Sequence, residues 1–289
     1  MNKIIFLLII LCANSFPQAN RSTQSLNLFS HPNIKKFADY LFCQHDYLRA
    51  SIEYEQYLKN SFNDTVAFKN GLANLAIGNF GNASKKFLNI PQNSAFYNLS
   101  KLEYLQANFR TGNFNSYRNL YGSLNLNSDY KFFFKARELY NFSFLFSDVP
   151  LPQKKIFLNS FTIEEQNKVS EFYNWKSNPP YKSSLTAALL STVIPGLGKI
   201  YTHKYSDGFF AFITVGLLGY LAYADFHANH NFRGWLFSAL GAGFYGGNIY
   251  GSAASAQIFN AKIKFQFFND LKNFLEEHNY FVPVISFCK

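Results

Sequence analysis

From Gly234 to Phe259 the chain reads GWLFSALGAGFYGGNIYGSAASAQIF, 26 residues without one charged side chain. Few environments accept such a segment, and its length meets the test for a membrane-spanning helix, although Gly, Ser and Asn keep it only moderately hydrophobic. A buried helix of a soluble protein is the competing reading. Within it Ala239, Gly243, Gly247, Gly251 and Ser255 recur every fourth residue. On a helix they form one smooth face, the small-xxx-small arrangement that lets backbones approach where lipid offers no hydrophobic drive. Glycine costs helix stability in water, so five small residues in register point to close helix packing. The neighbouring helix is the expected partner of this face, with a second copy of the chain as the other option.

Two further apolar stretches precede it. Leu185 to about Ile200 is short and interrupted by Pro195-Gly196, and GFFAFITVGLLGYLAYADF has 19 residues with Asp225 near its end. Lysines cluster after the first stretch (Lys199, Lys204) and after the third (Lys262, Lys264, Lys272), while the loop between the second and third holds Arg233. Three spans following an exported N-terminus put both clusters in the cytoplasm, as the positive-inside rule asks. The expectation is therefore three spans. No charge is expected on the glycine face. Asn248 and Gln257 are expected to hydrogen-bond between helices, and His203, His227 and His230 read as polar loop residues rather than metal ligands.

The segment KSSLTAALLSTVIPGLGKIYTHKYSDG, residues 182–208, contains Pro-Gly-Leu-Gly followed by a lysine. A phosphate-binding loop needs four residues between its glycines and then Gly-Lys-Ser/Thr. Here one residue separates Gly196 from Gly198, and Ile200 follows Lys199. Proline ends the preceding helix and the two glycines permit a sharp turn. Pro195, Gly196, Gly198 and Tyr201 are thus read as a structural turn, expected to dock on the Gly243/Gly247/Gly251 face. Lys182, Ser183, Ala187, Leu190, Pro195, Gly196, Gly198, Tyr201 and Gly208 together resemble the small two-transmembrane-helix domain family over about 45 residues. The third apolar stretch departs from its minimal form.

The first half carries a repeat. Tyr47, Phe80 and Phe114 lie 33 and 34 residues apart, preceded by Asp46, Asn79 and Asn113 and, one residue earlier, by His45, Gly78 and Gly112. Three residues after each aromatic stand Ala50, Ala83 and Tyr117, and seven after stand Tyr54, Phe87 and Tyr121. A left-handed residue ends one helix, the aromatic packs the turn, the small residue lets two helices approach, and the next aromatic fills the groove. The 34-residue period and the G-x-[YF]-x-x-A-x-x-x-[YF] core resemble the tetratricopeptide repeat, with His45 and Tyr117 as departures. The resemblance implies antiparallel helix pairs across 33–147, with Tyr47, Ala50, Tyr54, Phe80, Ala83, Phe87 and Phe114 packed between them. It also implies a concave surface for a protein partner.

The N-terminus, MNKIIFLLIILCANSFPQAN, shows Lys3, an apolar core from Ile4 to Cys12, and small residues Ala13 to Ser15. This is an export signal; modification of Cys12 as a lipoprotein is the alternative, disfavoured by Leu11 before it. After cleavage Cys43 and Cys288 remain, and the three-span topology expects them on opposite sides of the membrane, unpaired. Net charge is +10 and aromatics reach 19%, yet no run of five basic residues exists, which argues against nucleic acid. Thr162 with Glu164 and Glu165 marks a helix start, and Pro179-Pro180 a stiff link.

The expected fold is all-α, an exported tetratricopeptide-like solenoid followed by a helical membrane domain of about three spans. Its parts are a signal peptide (1–15), repeats (33–147), a helical linker (148–183), the membrane domain (184–260) and a tail (261–289). The whole resembles bacterial envelope proteins that fuse an exported helical repeat to a membrane hairpin, placed in the inner membrane with the repeats on the periplasmic side. The functional expectation is a scaffold or adaptor binding a protein partner, in contact with membrane lipid, without nucleic acid or cofactor, and with a homo-oligomer as an option. A small oligomeric transport or channel component is the alternative. No nucleophile–base pair, metal spacing or paired carboxylate suggests an enzyme.

Overall fold

A computed structural model of the chain describes residues 30–124, 133–283 and 285–288. The expected signal peptide lies outside them. The described residues form helices and turns with no strand, as the all-α reading requires. They fall into two compact units, residues 30–96 with Phe287 and Cys288, and residues 97–286. The expected repeat region 33–147 is therefore divided.

In the first unit α1 (His31–Cys43), α2 (Tyr47–Leu58), α3 (Asp64–Ala76) and α4 (Phe80–Leu88) pack each on the next. Both α1–α2 and α3–α4 are joined by a left-handed residue, His45 at φ 60° and Gly78 at φ 76°. The N-caps Asp46 and Asn79 follow, and Asp46 accepts a hydrogen bond from the Arg49 amide. Histidine tolerates this conformation with its Nδ1 held 2.7 Å from the Tyr47 hydroxyl. Ala50, Tyr54, Ala83 and Phe87 are buried, whereas Tyr47 and Phe80 at the helix starts are only half-buried. The Tyr54 hydroxyl and the Lys69 ammonium both donate to Asp39 Oδ1, at 2.8 and 2.7 Å. Lys69 also sits 4.9 Å above the Phe287 ring, which packs near Phe68 and Phe96.

A disulfide joins Cys43 to Cys288 across 245 residues of sequence. The expectation that these cysteines never pair is wrong. It rested on the span count, which also fails.

The second unit comprises α5 (Tyr97–Arg110), α6 (Phe114–Ser123), α7 (Phe133–Leu145), α8 (Lys154–Leu158), α9 (Ile163–Ser177), α10 (Ser184–Val193), α11 (Leu197–Tyr201), α12 (Tyr205–His227) and α13 (Asn231–Glu277). The third repeat signal lies here, with Gly112 at φ 78° and Asn113 capping the Ser116 amide. Phe114 is half-buried, stacked 5.2 Å from Phe146, and Tyr117 is fully buried with its hydroxyl donating to the Ala136 carbonyl. Aromatic partners supplied by this unit, Phe146 and Phe281 against Phe109, explain why the third repeat groups with it. Thr162 and Glu165 close the capping box that starts α9.

Among the described residues one helix, α12, is long and apolar enough to cross a membrane. The first apolar stretch is not a span, because α10 has 10 residues and α11 has 5. Ten residues rise about 15 Å, half the thickness of a bilayer's hydrocarbon. The third stretch is the start of α13, which runs 47 residues without a break, so the boundary expected at residue 260 falls inside a helix. Beyond it, Phe267, Leu271, Phe274 and Leu275 are buried, Phe267 stacking 3.9 Å from Trp175 of α9 and Phe274 lying 5.7 Å from Phe142 of α7.

Candidate functional site

The helices α10 to α13 form a knot built on backbone contact. A Cβ on Gly198 would overlap the Ala187 carbonyl, and one on Gly196, which sits at φ 88°, would overlap the Gly208 carbonyl. No side chain fits at either place, and Gly196 also needs its left-handed conformation. Ser191 Oγ accepts a hydrogen bond from the Gly198 amide (2.9 Å) and lies 2.7 Å from Ser252 Oγ, while Thr202 pairs with Ser255 at 2.8 Å. The Tyr201 ring lies 4.6 Å beneath the Lys182 ammonium. The turn residues Pro195, Gly196, Gly198 and Tyr201 are thus brought together, but their partners are Ala187 and Gly208 rather than the Gly243/Gly247 face.

The contacts along α13 trace the path of the short helices. Asn260 holds both the amide and the carbonyl of Lys182, at 2.7 and 2.9 Å. Ser191 meets Ser252, and the Tyr245 hydroxyl donates to the Thr192 carbonyl at 2.6 Å. The chain then returns, Thr202 to Ser255 and the His203 ring to Phe259 at 5.6 Å. The segment enters to the level of Tyr245 and leaves at the level where it began.

The neighbouring helix α12 does not close on the small-residue stripe at Ala239, Gly243 or Gly247. Two α13 glycines face α12: a Cβ at Gly234 would press on the Phe226 ring, and one at Gly241 would lie 3.6 Å from Leu218. A Cβ at Gly243 or Gly247 would meet nothing within 4 Å, and Ala239 is exposed. The physical reason lies at the other end of the stripe. There α11 packs on both α12 and α13, Thr202 pairs with Ser255, and the Lys199 side chain reaches Gly251. The two long helices cannot close upon each other, and a groove of about 620 Å³ remains, lined by Lys199, Asp207, Phe210, Thr214, Gly243, Gly247 and Asn248 among others. Two expectations fall with this. A charge, Lys199, does border the glycine face. And Asn248, 5% exposed, makes no hydrogen bond through either side-chain atom among the described residues.

Elsewhere, near-buried Asp225 lies 3.5 Å from both His230 and Arg233 at the α12–α13 turn. In the helices next to α13, buried Glu138 on α7 is pushed up to about 7 by desolvation and by the charge of Glu165, against the lowering effects of Tyr280, Arg137 and Lys135. The Tyr280 hydroxyl, which burial keeps protonated, donates to Glu165 at 3.3 Å. No group of three His, Cys, Asp or Glu side chains with metal-binding geometry is found among the described residues.

No family model, curated protein or solved structure matches the chain.

The turn was readable from its glycines and proline. The orphaned amide was not, because sequence shows only that Asn248 falls in an apolar run. Whether a neighbour satisfies it depends on the α11 wedge.

Proposed function

We propose that this chain is a membrane-anchored scaffold, whose tetratricopeptide-like helix pairs bind a protein partner on the exported face of a bacterial inner membrane. The observation that carries the anchor is α12. Its most apolar stretch is only 11% buried, and Phe209, Phe210, Phe212, Leu217, Tyr220 and Tyr223 stand exposed along it. A core helix of a soluble protein hides such residues; a bare apolar helix 23 residues long, about 35 Å, needs lipid. On this reading α12 and the first half of α13 cross as a hairpin, while α10 and α11 dip in and return.

Two crossings leave both flanks on one side, a reading that the Cys43–Cys288 disulfide and the packing of α13 on α7 and α9 support. Lys182, Lys204 and Lys262 then share that side, which the positive-inside rule by itself assigns to the cytoplasm. The disulfide supports the exported side against it, because such bonds persist in oxidising compartments. The helix-pair architecture with paired left-handed joints supports the scaffold role.

The test is topology mapping in cells with a permeabilised outer layer. A membrane-impermeant maleimide is expected to label Cys43 and Cys288 only after reduction. It should leave Asn229→Cys, at the α12–α13 turn, unlabelled unless the inner membrane is opened. Labelling of Asn229→Cys in sealed cells overturns the arrangement.

A further inference from the structure

We propose that the groove between α12 and α13 holds one acyl chain of an anionic membrane lipid, with the acidic headgroup on Lys199 and the ester region against Asn248. The proposal rests on the membrane reading of α12. Three observations carry it. The volume, about 620 Å³, lies in the range of small-ligand sites, and the walls are aromatic, aliphatic and glycine. The Lys199 side chain at one end is half-buried and has no ion-pair or hydrogen-bond partner among the described residues. Its ammonium can receive an anionic group there.

The third is Asn248. Its amide carries two donors and an acceptor, all unused and buried beside the groove. A phospholipid presents this order of chemistry, phosphate first, ester oxygens next, hydrocarbon last. Asp207, the carboxylate among the lining residues, is exposed on the first turn of α12 and forms no ion pair with Lys199. A second copy docked stripe to stripe brings no anion to Lys199, since Ala239, Gly243, Gly247, Gly251 and Ser255 are uncharged.

The groove can be filled without a clash, because a side chain at Gly247 enters open space. Full-length protein is extracted in mild detergent, exchanged against phosphatidylglycerol or phosphatidylcholine, and weighed by native mass spectrometry, with membrane partition and oligomeric state recorded on the same samples. Wild type is expected to retain one phosphatidylglycerol per chain in preference to phosphatidylcholine. Lys199→Gln should lower phosphatidylglycerol retention about tenfold, the loss of one charge-assisted contact, and leave phosphatidylcholine unchanged. Gly247→Leu should abolish retention of both while α-helix content and melting stay as in wild type.

Equal retention by wild type and both variants overturns the proposal. So does a dimer that Gly247→Leu dissociates with bound lipid unchanged, which assigns the stripe to a second copy. If the chain stays in the membrane fraction yet retains no lipid, the groove assignment fails alone. If it partitions into the soluble fraction, the membrane reading fails with it.

Discussion

Gly71 and Gly81 sit ten residues apart in consecutive helices and have opposite consequences. A Cβ on Gly71 would press into the Phe87 ring at 2.5–2.9 Å, in the seam where α3 meets α4, whereas one on Gly81 meets nothing within 4 Å. Gly71→Val is therefore expected to overpack the first unit, at a cost of about 1–3 kcal/mol, and Gly81→Ala to stabilise it by about 0.5–1 kcal/mol. Thermal melting of the two variants beside wild type checks both signs. Glu138 makes a separate prediction. Its folded-state value of about 7 lies above the ordinary 4.5, so between these pH values the folded chain binds the extra proton. Stability contributed by this group is present below pH 4.5 and lost as pH rises through 7. Glu138→Gln should flatten that slope and raise stability at pH 8 by about 2 kcal/mol, measured as denaturant midpoints across the pH series.

Among the elements, α11 shows what five residues accomplish when glycines permit contact. Gly198→Val places a branched side chain on the Ala187 carbonyl, and Gly196→Val adds a left-handed β-branched residue against Gly208. Both should sharply lower the yield of folded protein, judged by size-exclusion behaviour of the purified chain, whereas Gly243→Ala should not. A side chain at Gly247 enters open space, so Gly247→Leu should likewise leave the yield unchanged.

What could be read from sequence divides along the same line. Helix joints are local chemistry, so the glycine joints at Gly78 and Gly112 and the helix start at Thr162 were legible in the order of residues. His45 stood there as a departure from the repeat, and the capping by Asp46 and Asn113 shows only in the fold. The Pro195–Gly198 turn was visible for the same reason. Span count was not, since an apolar stretch broken by Pro-Gly reads alike whether its halves cross the membrane or turn back. The decisive contacts, Lys182 with Asn260 and Thr202 with Ser255, join residues 78 and 53 positions apart.

At the scale of the whole molecule the Cys43–Cys288 bond has the longest reach in sequence among the described residues and departs most plainly from the sequence reading. Two lone cysteines carry no spacing pattern, and their pairing depends on where the last residues of the chain return. Cys43→Ser is expected to cost about 2–5 kcal/mol in the first unit and to release Phe287 from beneath Lys69. Faster electrophoretic migration of unreduced wild type, absent in the variant, checks the bond itself. The Asp39 site sharpens the test. Asp39→Ala strips a partner from both Tyr54 and buried Lys69 and should cost about 3 kcal/mol with the disulfide intact.

That bond also imposes an order on biosynthesis. The two cysteines lie 245 residues apart, so the bond cannot form until Cys288 has been made. At about 5–20 residues per second the intervening 245 residues take on the order of half a minute to emerge. Through that interval the helices of the first unit must hold together on side-chain packing alone, with a free thiol open to mispairing. Only a chain extended to Cys288, with that residue delivered back to Cys43, becomes a covalent ring. Closure of that ring is thus a chemical record that synthesis has passed Cys288 and that the segment bearing it has returned to the first unit.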